Sequence, residues 1–184
     1  MVNVFATSPD AVESARALDD RRLNKMIVES AQILCTSLHL NGGGTPELYR
    51  IAYPAHPVVK WASSDPRHYA WLFRHFSALL DERRFRTAKA DHGCRRVLPA
   101  LLAGVSTTQP PECFVNCTPF KDQPDVHLAY RMTLAEKWSK DRRPPTWLKR
   151  GPPGFAAAVH ADQKAQSRHN AAGRPERRRR TGST

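Results

Sequence analysis

Glu29 stands in a row of polar residues, Arg22, Lys25, Glu29, Gln32 and Thr36, whose spacings of three and four place them on one face of a helix. A carboxylate with Lys25 one turn back and Arg22 two turns back suits two tasks. It can stabilise a developing oxocarbenium ion, or it can act as a general base on a sugar or an amine. The same spacing also describes a plain Lys–Glu surface pair, worth only about 0.3 kcal/mol to a helix, and spacing alone favours that plainer use.

Other chemistry-bearing residues are weaker candidates. His56 and His68 stand next to helix starts, where an imidazole serves either as a structural hydrogen-bonding group or as an acid–base catalyst. His92 and Cys94 with Cys113 and Cys117 lack the two-residue spacing of a zinc knuckle, so no metal site is expected. Gly42-Gly43-Gly44 follows a helix rather than a strand and precedes no Lys-Ser/Thr, which excludes a phosphate-binding loop. No nucleophile elbow for a Ser-His-Asp hydrolase occurs. Cys35 and Cys117 could be nucleophiles, but nothing around them marks an activated thiol. No organic cofactor is expected.

Basic residues interleaved with aromatics are a stronger signal. Lys60-Trp61, Arg67-His68-Tyr69, Tyr130-Arg131, Lys137-Trp138 and Arg142-Arg143 before Trp147 each join a phosphate binder to a stacking ring. That mixture suits gripping a nucleic-acid backbone while a base is unstacked. Tyr69 and Phe73 are assigned to the core, with Trp61 and Trp147 open to either use. The net charge of +12, on 29 Lys and Arg against 17 Asp and Glu, points to a polyanionic partner, and double-stranded DNA is the expected one. Residues 161–184 hold seven basic residues against two acidic ones, leaving a surplus of +7 on the rest of the chain.

The elements that must position these groups are helical. One helix is predicted over 8–40, with Ser8 as N-cap, Pro9 behind it and an apolar stripe at Leu23, Ile27, Ala31, Leu34 and Leu38, ending at Asn41-Gly42. Tyr53 to Pro57 reads as a turn into a short helical piece, Val58 to Ala62. Asp65-Pro66 opens a second long helix burying Tyr69, Leu72, Phe73, Phe76, Leu79 and Leu80. Pro99 keeps any helix over 93–103 short or kinked. Residues 107–124 read as loop with one short strand possible at Phe114-Val115, and a third helix runs from about Pro124 to Lys140. The fold class expected is all-α, a compact helical bundle with long loops: a DNA-acting domain over 1–150 and a basic, largely disordered tail over 151–184. No apolar run approaches the roughly 20 residues needed to span a bilayer, and the first residues do not read as a secretory signal. Four cysteines in 184 residues suit reduced thiols, and a cytoplasmic monomer is expected.

The segment LDDRRLNKMIVESAQIL, followed by PAHPVVKW, FVNCTPF and DRRPPTW, resembles small phage and bacterial proteins placed with the pyrimidine-dimer DNA glycosylases of the endonuclease V type. For the phage-encoded group the resemblance covers roughly residues 1–150. Leu18, Asp20, Leu23 and Glu29 fall in step with the helix that carries the family's catalytic glutamate, and Arg143-Pro144-Pro145-Thr146-Trp147 is similar to its C-terminal Arg-Pro-Thr-Trp. The resemblance implies a metal-free helical bundle. It also implies attack by an N-terminal α-amine on the sugar C1′ of a damaged pyrimidine, followed by strand cleavage through the imine. Glu29 inherits the proton-shuffling role, and the amine is that of Val2 after loss of Met1.

The reading favoured is a DNA-acting enzyme that flips out a pyrimidine nucleotide, most simply a glycosylase and abasic-site lyase. Glu29, with Val2 or Lys25 as the amine, forms the catalytic set. Arg21, Arg22, His56, Lys60, Trp61, Asn116, Lys121, Arg131, Arg142, Arg143 and Trp147 form the DNA-binding set. Two rivals stand beside it: a transferase that attaches an amino acid or polyamine to an activated hydroxymethyl-pyrimidine in phage DNA, and a non-catalytic nucleic-acid-binding protein.

Overall fold

The structure, a computed structural model, describes residues 3–156. The residues from 157 onward, where most of the basic tail was expected, and Val2 lie outside the described residues. Six α-helices and no strand occur among the described residues: α1 (Ala11–Ala17), α2 (Asp20–Leu40), α3 (Pro57–Ser64), α4 (Pro66–Thr87), α5 (Leu98–Leu102) and α6 (Val126–Lys140). A 3-10 turn over Gly93–Val97 leads into α5. The fold is all-α.

The single helix expected over 8–40 is two helices. The N-cap of α1 is Asp10, whose carboxylate accepts the amides of Val12 and Glu13 at 2.8 Å, while Ser8 accepts only the amide of Asp10. The break at Leu18-Asp19 has a physical cause. Arg86, fully buried on α4, donates to the Leu18 carbonyl at 2.8 Å and the Arg16 carbonyl at 2.9 Å, so the last carbonyls of α1 are satisfied by a guanidinium instead of a further helical turn. Asp19 is extended and caps α2 through the amide of Arg22. At its far end α2 stops at Asn41-Gly42, with Gly42 at φ +79°.

Asp65 caps α4, His56 caps α3 through Nδ1, and each helix has proline in its first turn. Helix α4 packs against α1, α2 and α3. The core joins Leu23, Met26, Ile27, Ile33 and Leu34 of α2 to Leu72, Phe76 and Leu79 of α4 and to Tyr130, Leu134 and Trp138 of α6. Phe73, expected in the core, is only half-buried. Phe114-Val115 is loop rather than strand, fastened by Tyr130 Oη donating to the Val115 carbonyl at 2.8 Å.

Two further segments belong to the packed body. Residues 3–9 thread across the helices with Val4, Phe5 and Ala6 buried. They are held by Arg131 on the Thr7 carbonyl, His127 on the Ala6 carbonyl and Trp71 on the Pro9 carbonyl. At the other end, Phe155 stacks on Trp138 at 5.8 Å and Ala156 is buried, so the packed body runs past the boundary expected at 150.

His75 is wholly buried beneath the threaded segment, with Nδ1 donating to the Ala11 carbonyl at 3.0 Å and no partner for Nε2 among the described residues. Burial pushes its imidazole down to about 4 from an ordinary 6.5. Below pH 6.5 the unfolded chain therefore takes up a proton that the folded chain refuses. Stability should fall as the pH drops from about 6.5 to about 4, by on the order of 3 kcal/mol from this residue. Urea midpoints measured across that window should show the loss, and His75→Gln should flatten it.

Candidate active site

The side chain of Glu29 projects from α2 into a cavity of about 190 Å³. Asn3 and Phe5 of the threaded segment, Arg21, Arg22, Lys25 and Met26 of α2, and Lys137 and Asp141 at the end of α6 line it. The Glu29 side chain is 13 % exposed, sheltered yet open to the cavity. The backbone N–H of Asn3 donates to Oε2 at 2.8 Å, and Lys25 Nζ lies 3.3 Å from Oε1. Lys25 itself is largely exposed. The Asn3 side chain is turned back on its own backbone, with Oδ1 accepting the amides of Val4 and Phe5. That bend, with Phe5 at φ +47°, aims the preceding backbone at the carboxylate.

A second hollow of about 690 Å³, lined by Asp19, Arg21, Asp141, Arg142, Arg143 and Pro144 to Thr146, adjoins the first and shares Arg21 and Asp141 with it. Its wall is the connector after α6, and the start of α2 fixes it there. Asp20 accepts from Thr146 Oγ1 at 2.7 Å and from the Leu148 amide at 3.1 Å, and its own amide donates to the Thr146 carbonyl at 2.9 Å. Trp147 Nε1 donates to the Ala17 carbonyl at 3.1 Å. Arg142 and Arg143 are left exposed at the rim, and Arg21 is 79 % exposed beside them.

The DNA-binding set expected from sequence divides in two. Arg21, Lys60, Arg142 and Arg143 are exposed, and His56 is half-buried close enough to Glu29 to feel its charge. Burial pushes the His56 imidazole below its ordinary value, and Glu29 opposes that shift. The remaining residues are committed elsewhere. Arg22 is spent on Asp19 at 3.0 Å and Asp141 at 2.8 Å. Trp61 and Trp147, open to either use in the sequence, are core: Trp61 lies between His68 and Phe114 and donates to the Cys113 carbonyl, and Trp147 packs edge-on to Trp138. Asn116 builds its own loop with Thr118 and Phe120, Lys121 holds the Asn116 carbonyl, and Arg131 holds Thr7 and Asp125.

The model of a family described as pyrimidine dimer DNA glycosylase matches residues 2–96, more than half of the chain. The chain belongs to that family. Comparison with curated proteins and with solved structures gives no match. The span shared with the pyrimidine dimer DNA glycosylases carries Asn3, Lys25 and Glu29 together with α1 to α4. Lys137 and Asp141 come from beyond it and close the same cavity.

Asn3, Phe5, Met26 and Asp141 escape a sequence reading of the site, and Lys137 enters it only as part of the basic-aromatic pair Lys137-Trp138. Asp141 leaves a trace as the one acid in the run Lys140-Asp141-Arg142-Arg143. Burial pushes the Cys35 and Cys117 thiols above their ordinary range, which disfavours the nucleophilic thiolate. Among the described residues no group of three or more His, Cys, Asp or Glu could hold a metal ion, and no helix is long and apolar enough to cross a membrane.

The two arginines at positions 21 and 22 should therefore separate cleanly. Arg22→Ala strips Asp19 of its guanidinium in a partly buried site and leaves Asp141 only the exposed Arg21 at 3.5 Å, and should cost about 2 kcal/mol or more in urea unfolding. Arg21→Ala should leave the unfolding midpoint within about 0.5 kcal/mol of the parent and weaken DNA binding instead.

Proposed function

We propose that this protein is a DNA glycosylase and abasic-site lyase that works on a pyrimidine nucleotide flipped out of double-stranded DNA. The observation that carries the reading is the 2.8 Å hydrogen bond from the Asn3 backbone to Glu29. It brings the first described residue to the carboxylate at the centre of the polar row of α2, in the cavity that adjoins the basic connector. One residue spans at most about 3.6 Å, so an amine on Val2 would lie within reach of Glu29 and of a sugar seated against it.

In this reading the Val2 amine, uncovered by removal of Met1, attacks C1′ of the everted nucleotide. The glycosidic bond breaks, its electron pair leaves with the pyrimidine, and the pyrimidine takes up, through solvent, one of the two protons that the amine nitrogen gives up. Glu29 takes a proton from the attacking nitrogen and returns it to the ring oxygen as the sugar opens, giving an imine. Removal of a 2′ proton then expels the 3′ phosphate, and water frees the amine. Lys25 balances charge at Glu29, and Arg21, Arg142 and Arg143 hold the phosphates flanking the flipped nucleotide. The basic residues of 161–184 add affinity that does not depend on sequence.

Borohydride reduction during incubation with a duplex holding a thymine dimer or an abasic site should yield a covalent adduct whose mass places it on Val2. Glu29→Gln should fold within about 1 kcal/mol of the parent, since the glutamine amide oxygen can still accept the Asn3 N–H and the partly exposed ion pair with Lys25 is what is lost, and should lower the trapped fraction about a hundredfold or more. Absence of any adduct with the parent protein would remove the lyase reading. An enlarged base in digested DNA would replace it with group transfer. Equal DNA-dependent behaviour of Glu29→Gln and parent would leave a binding protein.

Removing residues 161–184 should reduce the slope of log binding constant against log salt by several units while leaving adduct formation in place. Titrations at several salt concentrations with full-length and shortened chains measure both.

A further inference from the structure

Tyr53 is the most exposed large apolar side chain among the described residues, at 66 %. It also sits in the left-handed region, at φ +52°, a strained setting for an aromatic residue. The strain is held from both sides. The hydroxyl of Thr36, buried on α2, donates to the Ala52 carbonyl at 3.2 Å and accepts the Ala52 amide at 3.1 Å. Gln32 fastens the Arg50 carbonyl at 2.7 Å. On the far side the Tyr53 carbonyl accepts the amide of His56, the cap of α3. Folding alone supplies no reason to hold an aromatic ring out in water by such means.

The anchors explain where the ring is placed. Gln32 and Thr36 continue the polar row of Glu29, three and seven residues further along α2, or roughly 5 and 10 Å. Val28, one turn before Gln32, and Ile51, next to the fastened Arg50, are each half exposed. Arg50, next to Ile51, Lys60, one turn past the α3 cap, and Lys25, one turn before Glu29, are exposed cations on the same segments. Apolar side chains with a cationic rim, beside a carboxylate cavity, have the composition of a wedge that parts stacked bases while the rim meets phosphates.

We propose that Tyr53, with Ile51 beside it, enters the duplex and fills the space in the base stack that the everted nucleotide vacates. The proposal rests on the function proposed above, and its test is separable from it. A duplex carrying 2-aminopurine next to an abasic site, titrated with protein, reports local unstacking without any chemistry. Parent protein should raise the fluorescence. Tyr53→Ala should abolish the rise and slow adduct formation on a dimer-containing duplex by about ten- to a hundredfold. On the same lesion in single-stranded DNA, where no stack is opened, Tyr53→Ala should match the parent. Tyr53→Phe and Tyr53→Trp should restore duplex activity, which a loss of local folding would not allow. An unchanged fluorescence rise in Tyr53→Ala, or an equal fall on single-stranded and duplex substrates, overturns the wedge. If the parent forms no adduct yet still raises the fluorescence in a Tyr53-dependent way, the catalytic reading fails and the wedge stands.

Discussion

Two adjacent carboxylates at the start of α2 organise most of what lies around the cavity. Asp19 accepts from Trp138 Nε1 at 2.8 Å and pairs with Arg22, which reaches on to Asp141. Asp20 pairs with the buried Arg86 at 3.1 Å and takes the connector through Thr146 and Leu148. Side by side, these acids would repel each other. They are tolerated because the amino end of a helix favours negative charge and because each acid has its own guanidinium. The end of α1, the end of α4, the end of α6 and the connector thus meet at one point. The site is a consequence of that meeting: Lys137 and Asp141 close the Glu29 cavity only because α6 ends there, and Arg142 and Arg143 line the adjoining hollow only because Asp20 holds Thr146.

The second constraint acts on the first residues of the chain. An extended strand without sheet partners must place its backbone groups elsewhere. Here side chains of α4 and α6 take the carbonyls of Ala6, Thr7, Pro9 and Ala11, while Val4 and Phe5 bury their side chains. With these carbonyls fixed, the N–H of Asn3 has one partner, Glu29. A segment that would ordinarily fray becomes part of the wall of the cavity.

The helices were legible because their signals are local. The stripe from Leu23 to Leu34, the Asp65-Pro66 start and the amphipathic run to Lys140 depend on residues a few positions apart, and each matches an observed helix. The break between α1 and α2 was hidden because its cause, Arg86, stands 68 positions from the carbonyl it satisfies. The same distance problem divides the site. Spacing on one helix pairs Glu29 with Lys25 without telling a site from a plain surface pair, whereas Lys137 and Asp141 join them only through the fold. Aromatic residues misled most. Trp61 and Trp147 follow basic residues just as a stacking plate would, yet both lie in the core, and the most exposed ring among the described residues is Tyr53, which sits in what the sequence presents as a plain proline turn. Composition cannot distinguish a tryptophan covered by a loop from one that is left open.

The geometry also bears on which amine the proposed chemistry would use. Lys25 and, in the proposed reading, the amine of Val2 stand in different relations to Glu29. Lys25 approaches Oε1 as an ion-pair partner on a long, solvent-exposed side chain, and an ammonium that pairs with the carboxylate has no lone pair to offer a sugar. The backbone reaches Oε2 from the other side through a short, buried tether at Asn3. α-Amines as a class give up their proton about two pH units or more below lysine side chains, so near neutrality a far larger share of them is nucleophilic. In the proposed chemistry a single carboxylate serves both groups, with one oxygen facing the lysine that balances its charge and the other holding the Asn3 N–H, one residue from Val2. That division of labour supports assigning attack to Val2 and electrostatic balance to Lys25.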